Sequence, residues 1–247
     1  GEDVLTGANY SGYPFYTPST TMYVKWFRDG AADFGRDSEY FWQLGQVTPM
    51  INGLFSAYFR AGLRHKPEGR VIQYTMPHSP GNTDASFRRT AFTHLAHGVK
   101  MLDYFGMGMN ETFTENYVDH RDFDRFIAIR DINHAMGLVD DVLEESRAFA
   151  SPVALLASES TERWDWSRIA TDFAGHNYGD GFRGTRLSYH QERVGIYTAL
   201  SFAGISPDIV IERDLTADVL KQYKVLYVVG DSLPAEVVPT IEQWVRD

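Results

Sequence analysis

Cysteine is absent from all 247 residues. That excludes a disulfide framework, a Cys-ligated zinc or iron–sulfur centre and a thiol nucleophile, while leaving the compartment open. No run of 18 apolar residues occurs, so no helix is expected to span a membrane. Basic residues are in deficit, 23 Lys+Arg against 33 Asp+Glu, for a net charge of −10. With no basic stripe to offset that balance, nucleic acid is not an expected partner. HExxH and GxSxG patterns are missing, and Gly179–Gly184 lacks the Lys-Ser/Thr that completes a P-loop. His94 and His97 stand three apart, but no third metal ligand accompanies them. No cofactor or metal is expected. The first residues, Gly1, Glu2, Asp3 and Val4, carry neither a basic region nor an apolar core, so they are no export signal. The residues from Pro234 onward read as a helix with no stop signal. Both ends read as cuts, and the chain as a piece of a longer polypeptide.

What is present is globular in character, with 43% hydrophobic and 23% charged residues. Short apolar runs alternate with longer helical patterns, which predicts α/β architecture with parallel strands. Strands are expected at residues 4–8, 22–26, 70–76 and 100–105. Helices are expected over 38–63 with a break at Pro49, over 84–97 with Asp84 as N-cap and Gly98 as stop, and over 123–146. Ser151-Pro152 marks a change of unit. Beyond it, strands are expected at 153–157, 208–211 and 225–229, and helices at 189–203, 216–222 and from 234. Residues 158–184 read as a polar, Gly-rich stretch. Residues 1–150 thus supply four strand–helix pairs, and 151–247 the start of a doubly wound α/β domain, incomplete at its C-terminus. Four pairs cannot close a (β/α)8 barrel, so the rest of the polypeptide or another chain must cover the open edges.

Several segments resemble glycoside hydrolase family 42, the β-galactosidase-like enzymes. Ala96-His97-Gly98 followed by Tyr104-Phe105 is similar to the segment that leads into the last barrel strand of that family. Val118-Asp119-His120, then Val153-Ala154-Leu155-Leu156 with Trp164-Asp165-Trp166, resemble its next landmarks. Asp208-Ile209-Val210 and Tyr223-Lys224-Val225 resemble its later strands. Each motif is short; their order and spacing carry the likeness. The resemblance implies the C-terminal half of a TIM barrel, strands 5 to 8, joined to an amidotransferase-like domain that mediates trimerisation. It also implies a carbohydrate partner and a homo-oligomer.

Retaining glycosidases work with two carboxyl groups roughly 5–5.5 Å apart. In the resembling family the acid/base follows strand 4, which lies outside this sequence, and the nucleophile closes strand 7. Tyr74 stands where that glutamate would be. Two readings follow: a tyrosine nucleophile, activated by a neighbour such as His78 or Arg88, or an aromatic residue lining a sugar pocket. Glu111 and Glu115 follow the fourth strand, either as replacement carboxylates or as solvated loop acids. Asp103 lies inside that strand, where it either points inward as a paired polar residue or does not. Asn9, Tyr10, Trp26 and Arg28, with His78 and Tyr104, follow or end strands and make the candidate sugar-binding set. The same residues would equally suit loops packed on a barrel rim. The function expected is glycoside-hydrolase-like, acting on or binding a carbohydrate. The alternative is a catalytically degenerate sugar-binding or oligomerisation scaffold.

Overall fold

The computed structural model describes residues 7–10, 24–25, 27–29, 34–37, 41–66, 68–78, 81–104, 123–170 and 188–247. The chain divides into two compact units. Unit 1 comprises Gly1–Ser11, Ala31–Ser56 and Glu68–Phe149; unit 2 comprises Gly12–Gly30, Ala57–Pro67 and Ala150–Asp247.

Unit 1 is built on four parallel strands in sequence order: β1 (Gly7–Tyr10), β2 (Phe34–Asp37), β3 (Arg70–Tyr74) and β4 (Met101–Asp103). Helix α1 (Thr48–Gly62) precedes β3 and crosses the boundary between the units at Ser56/Ala57. A short 3₁₀ segment, Phe41–Val47, leads into it, so the break near Pro49 comes as a change of helix type. Helix α2 (Asp84–Ala96) joins β3 to β4. Its N-cap is Thr83, not Asp84: the Thr83 hydroxyl accepts the Ser86 amide at 3.2 Å. Asp84 sits in the first turn, where its negative charge suits the helix dipole. The expected helix over 123–146 is two helices, α3 (Phe123–Gly137) and α4 (Asp140–Glu145). Phe87 and Ala91 of α2 pack with Ala128, Ile129 and Ile132 of α3, and Leu102 and Tyr104 close against that layer.

One expected strand is corrected. Of residues 22–26, Val24 and Lys25 are helical, as are Phe27 and Arg28 just beyond, and the second strand forms instead at Phe34–Asp37. Val24 and Phe27 stand three apart and are both buried, which is helical spacing. Gly62 explains the fit: a side chain there would meet the Phe27 Cβ at 2.7 Å and the Val24 carbonyl at 3.1 Å. Phe27 also packs edge-on against Phe59, ring centres 5.5 Å apart.

Unit 2 carries a second parallel sheet of order β6-β5-β7, from β5 (Val153–Ala157), β6 (Asp208–Ile211) and β7 (Val225–Tyr227). The central strand, Val-Ala-Leu-Leu-Ala, is buried at every position, as expected for a parallel strand covered on both faces. Part of the stretch 158–184, read as polar and Gly-rich, is helix α5 (Glu159–Ala170), which the sequence reading missed. Ser158 caps it by accepting the Thr161 amide at 3.0 Å. Helix α6 (Ser188–Phe202) follows, then α7 (Ala217–Leu220) and α8 (Val238–Arg246). The first-turn proline of α8 is Pro239, so this helix starts four residues after Pro234. Ala154, Leu156 and Val210 form one apolar cluster with Leu215, Leu220 and Tyr223, against which Ile241 and Trp244 of α8 pack.

Candidate carbohydrate site

The C-terminal end of β3 and the residues just beyond it carry two of the described candidates, Tyr74 and His78. Tyr74 is the last residue of β3 and is buried, with 8% exposure. Its register partner on β4 is Asp103, while Gln73 pairs with Leu102. Beyond Tyr74, the Thr75 amide donates to the Asp103 carbonyl at 2.8 Å, so pairing with β4 continues one residue past the strand.

Met76, His78 and Asn82, beyond β3, are tied to one another and to α3. The Asn82 side-chain amide donates to the Met76 carbonyl at 3.2 Å. The buried Arg125 guanidinium donates to the Asn82 carbonyl and reaches the His78 carbonyl at 3.5 Å. It also pairs with Asp84 at 3.2 Å and lies over the Phe87 ring, 4.8 Å from its centre. His78 is partly buried, and this burial, aided by the Arg125 charge, holds its imidazole below the ordinary histidine range. The imidazole is therefore neutral at pH 7, able to accept a hydrogen bond on one nitrogen and donate from the other.

Tyr104 is on the other side of its strand. Its ring lies 6.0 Å from that of Phe87, and its hydroxyl donates to Asn133 Oδ1 at 2.8 Å. Burial pushes this phenol up to about 12, so it stays protonated at neutral pH. Arg88, considered as an activator of Tyr74, pairs with Asp131 at 2.9 Å. His94 is buried in α2.

Arg28 lies in unit 2 and is committed there to an ion pair with the buried carboxylate of Asp214. His65 Nε2 also meets Asp214 Oδ1 at 2.9 Å, and Arg64 Nε stands 3.7 Å from Oδ2. The sequence reading did not single out Asp214; an acid three residues past a buried strand was its only signal. Asn9 and Tyr10 end β1, opposite Arg36 and Asp37 in register. Trp26, Glu111, Glu115, Asp119 and His120 lie outside the described residues. The structure therefore brings Tyr74, Asp103 and His78 to one end of unit 1, and places Tyr104 against the helices and Arg28 in unit 2.

Unit 2 has a cavity of its own, of about 580 Å³, beside the ends of β5 and β6, lined among others by Ser160, Arg163, Glu212 and Arg213. Its buried acid, Glu212, already accepts hydrogen bonds from the Ser158 hydroxyl at 2.5 Å and from the Ser160 amide and hydroxyl at 3.0 and 2.9 Å. Its place is that of a tie between strand ends. Among the described residues no cluster of acids and histidines could hold a metal ion, and no helix is long and apolar enough to cross a membrane.

Neither a protein-family model nor a curated protein matches the chain in sequence. Among solved structures, the chain is similar to the β-galactosidase of the psychrophilic Marinomonas ef1, with a TM-score of 0.60 at 17% identity. That match covers 96% of this chain and 38% of the other, so the chain spans well under half of its neighbour's length. The mixed helix and parallel-sheet architecture is consistent with a β-galactosidase-like fold.

Proposed function

We propose that the chain is part of a glycoside-hydrolase-like protein that acts on or binds a carbohydrate of the β-galactoside type. In this reading β1 to β4 are strands 5 to 8 of a (β/α)8 barrel of the family-42 kind, and the residues from 151 onward form an amidotransferase-like domain. The observation that carries it is the run of four parallel strands in sequence order, within a fold similar to a β-galactosidase over nearly the whole chain. In such barrels the reacting groups stand at the C-terminal strand ends, which is where Tyr74 and His78 lie.

A second reading, a catalytically degenerate sugar-binding or oligomerisation scaffold, is favoured by one specific observation. By the resemblance, Tyr74 stands at the position where the family-42 enzymes carry their nucleophilic glutamate. Galactose binding by calorimetry and release of nitrophenol from a nitrophenyl β-galactoside separate the readings. Binding with turnover supports the hydrolase, binding alone supports the scaffold, and absence of both refutes the carbohydrate reading. The trimer implied by the resemblance belongs to the same proposal; a monomer in sedimentation at micromolar concentration would remove it.

A further inference from the structure

Asp103 is placed by the register of β4. Paired residues on neighbouring strands project to the same face of a sheet, and successive residues to opposite faces. Leu102 and Tyr104 pack onto the α2/α3 layer. Met101 and Asp103 therefore face the other way, together with their register partners Ile72 and Tyr74. Asp103 is half-buried on this face, at the C-terminal end of its strand. A one-residue step along the strand thus exchanges the residue that faces the helices, Tyr104, for one that faces the site, Asp103.

An aspartate inside a strand is unfavourable for the strand itself. Here it sits at the C-terminal end of β4, beside a phenol. A carboxylate is a pure acceptor with room for several donors, and two adjacent hydroxyls of a sugar ring are two donors at matching separation. The Tyr74 ring supplies apolar surface of the kind that covers the C–H face of the same sugar. A negatively charged sugar acid or sugar phosphate would be repelled by the same carboxylate.

We propose that Asp103 is a substrate-contacting residue that accepts hydrogen bonds from two neighbouring hydroxyls of a neutral hexose, with Tyr74 as the adjoining wall. The proposal rests on the carbohydrate reading above and adds to it the contact and the ligand's charge class.

The test is calorimetric titration of the protein with D-galactose and with galacturonate, in the wild type and in Asp103→Asn, Asp103→Ser and Asn133→Ala. Circular dichroism on each variant establishes that it is folded. Because hydrogen bonds to charged groups are the strong ones, Asp103→Asn should weaken galactose binding roughly 10- to 100-fold. It should also narrow the preference for galactose over galacturonate, because the repelling charge is gone. Asp103→Ser should weaken galactose at least as much and narrow the preference in the same way. Asn133→Ala, which frees the Tyr104 hydroxyl on the helix side, should leave galactose binding unchanged. Galactose affinity unaltered in folded Asp103→Asn and Asp103→Ser would overturn the role of Asp103 while leaving the carbohydrate reading in place. A wild-type protein that binds no galactose would overturn both.

Discussion

Replacing Arg193 by methionine tests the account of unit 2 most sharply. The Arg193 side chain is wholly buried on α6, and its guanidinium stands 3.5 Å from the Glu162 carboxylate on α5, itself only 5% exposed. It also lies over the Tyr58 ring at 5.3 Å. Methionine keeps most of the volume and removes the charge. Glu162 is then left as a buried acid without its cation, a change that costs about 3–5 kcal/mol. The lost ring contact, about 0.5–2 kcal/mol by itself, overlaps with that figure, so the total is about 4 kcal/mol. With a urea dependence of about 2 kcal/mol per molar, the unfolding midpoint should fall by about 2 M. Far-UV circular dichroism through a urea titration reads this directly. The double variant Arg193→Met/Glu162→Leu removes both charges and should recover most of the loss, since an apolar pair of similar volume replaces a buried ion pair at little cost. A single variant within about 1 kcal/mol of wild type, or a double variant no better than the single, would refute the reasoning.

Two further expectations can be checked the same way. Burial and the Arg125 charge hold His78 below its ordinary range, so the unfolded chain protonates it near pH 6.5 while the folded chain resists. Its contribution to stability is therefore complete above about pH 6.5 and declines as the pH falls toward the lower folded value; His78→Gln should flatten that part of a urea-midpoint profile, and an unchanged slope would count against it. Gly230 has a φ of +101° and a side chain there would meet the Thr161 hydroxyl oxygen at 2.5 Å. Gly230→Ala should cost about 1–3 kcal/mol, whereas Gly195→Ala on α6, with nothing within 4 Å, should gain about 0.5–1 kcal/mol.

Much of the fold was legible along the chain because parallel strands buried on both faces are plain apolar runs. The runs at 153–157 and 208–211 match β5 and β6 residue for residue. The strand expected at 70–76 ends two residues earlier, at Tyr74, and the helix at 84–97 was found with its glycine stop, Gly98, at a φ of 86°. The register that makes Tyr74 and Asp103 neighbours was not legible. A strand without apolar–polar alternation does not announce which face each residue takes, so Asp103 and Tyr104 could not be assigned until Leu102 was seen against the helices.

Helix α5 was hidden for a related reason. Its buried side at Glu162 is satisfied by the charge of Arg193, 31 positions away in the chain, instead of by apolar packing, so no hydrophobic period marks it. Its capping serine, Ser158, was read only as the start of a polar stretch. The run 22–26 was read as a strand, whereas Val24 and Lys25, with Phe27 and Arg28 beyond, are helical, and Val24 and Phe27 close on Gly62 and Phe59. Arg28 then fell to Asp214, nearly 190 residues further on, because a buried carboxylate draws the cations within reach of it. Local pattern and turn chemistry determined which elements form and in what order. The face each side chain takes, and which charge meets which, depended on groups that the chain brings together only on folding.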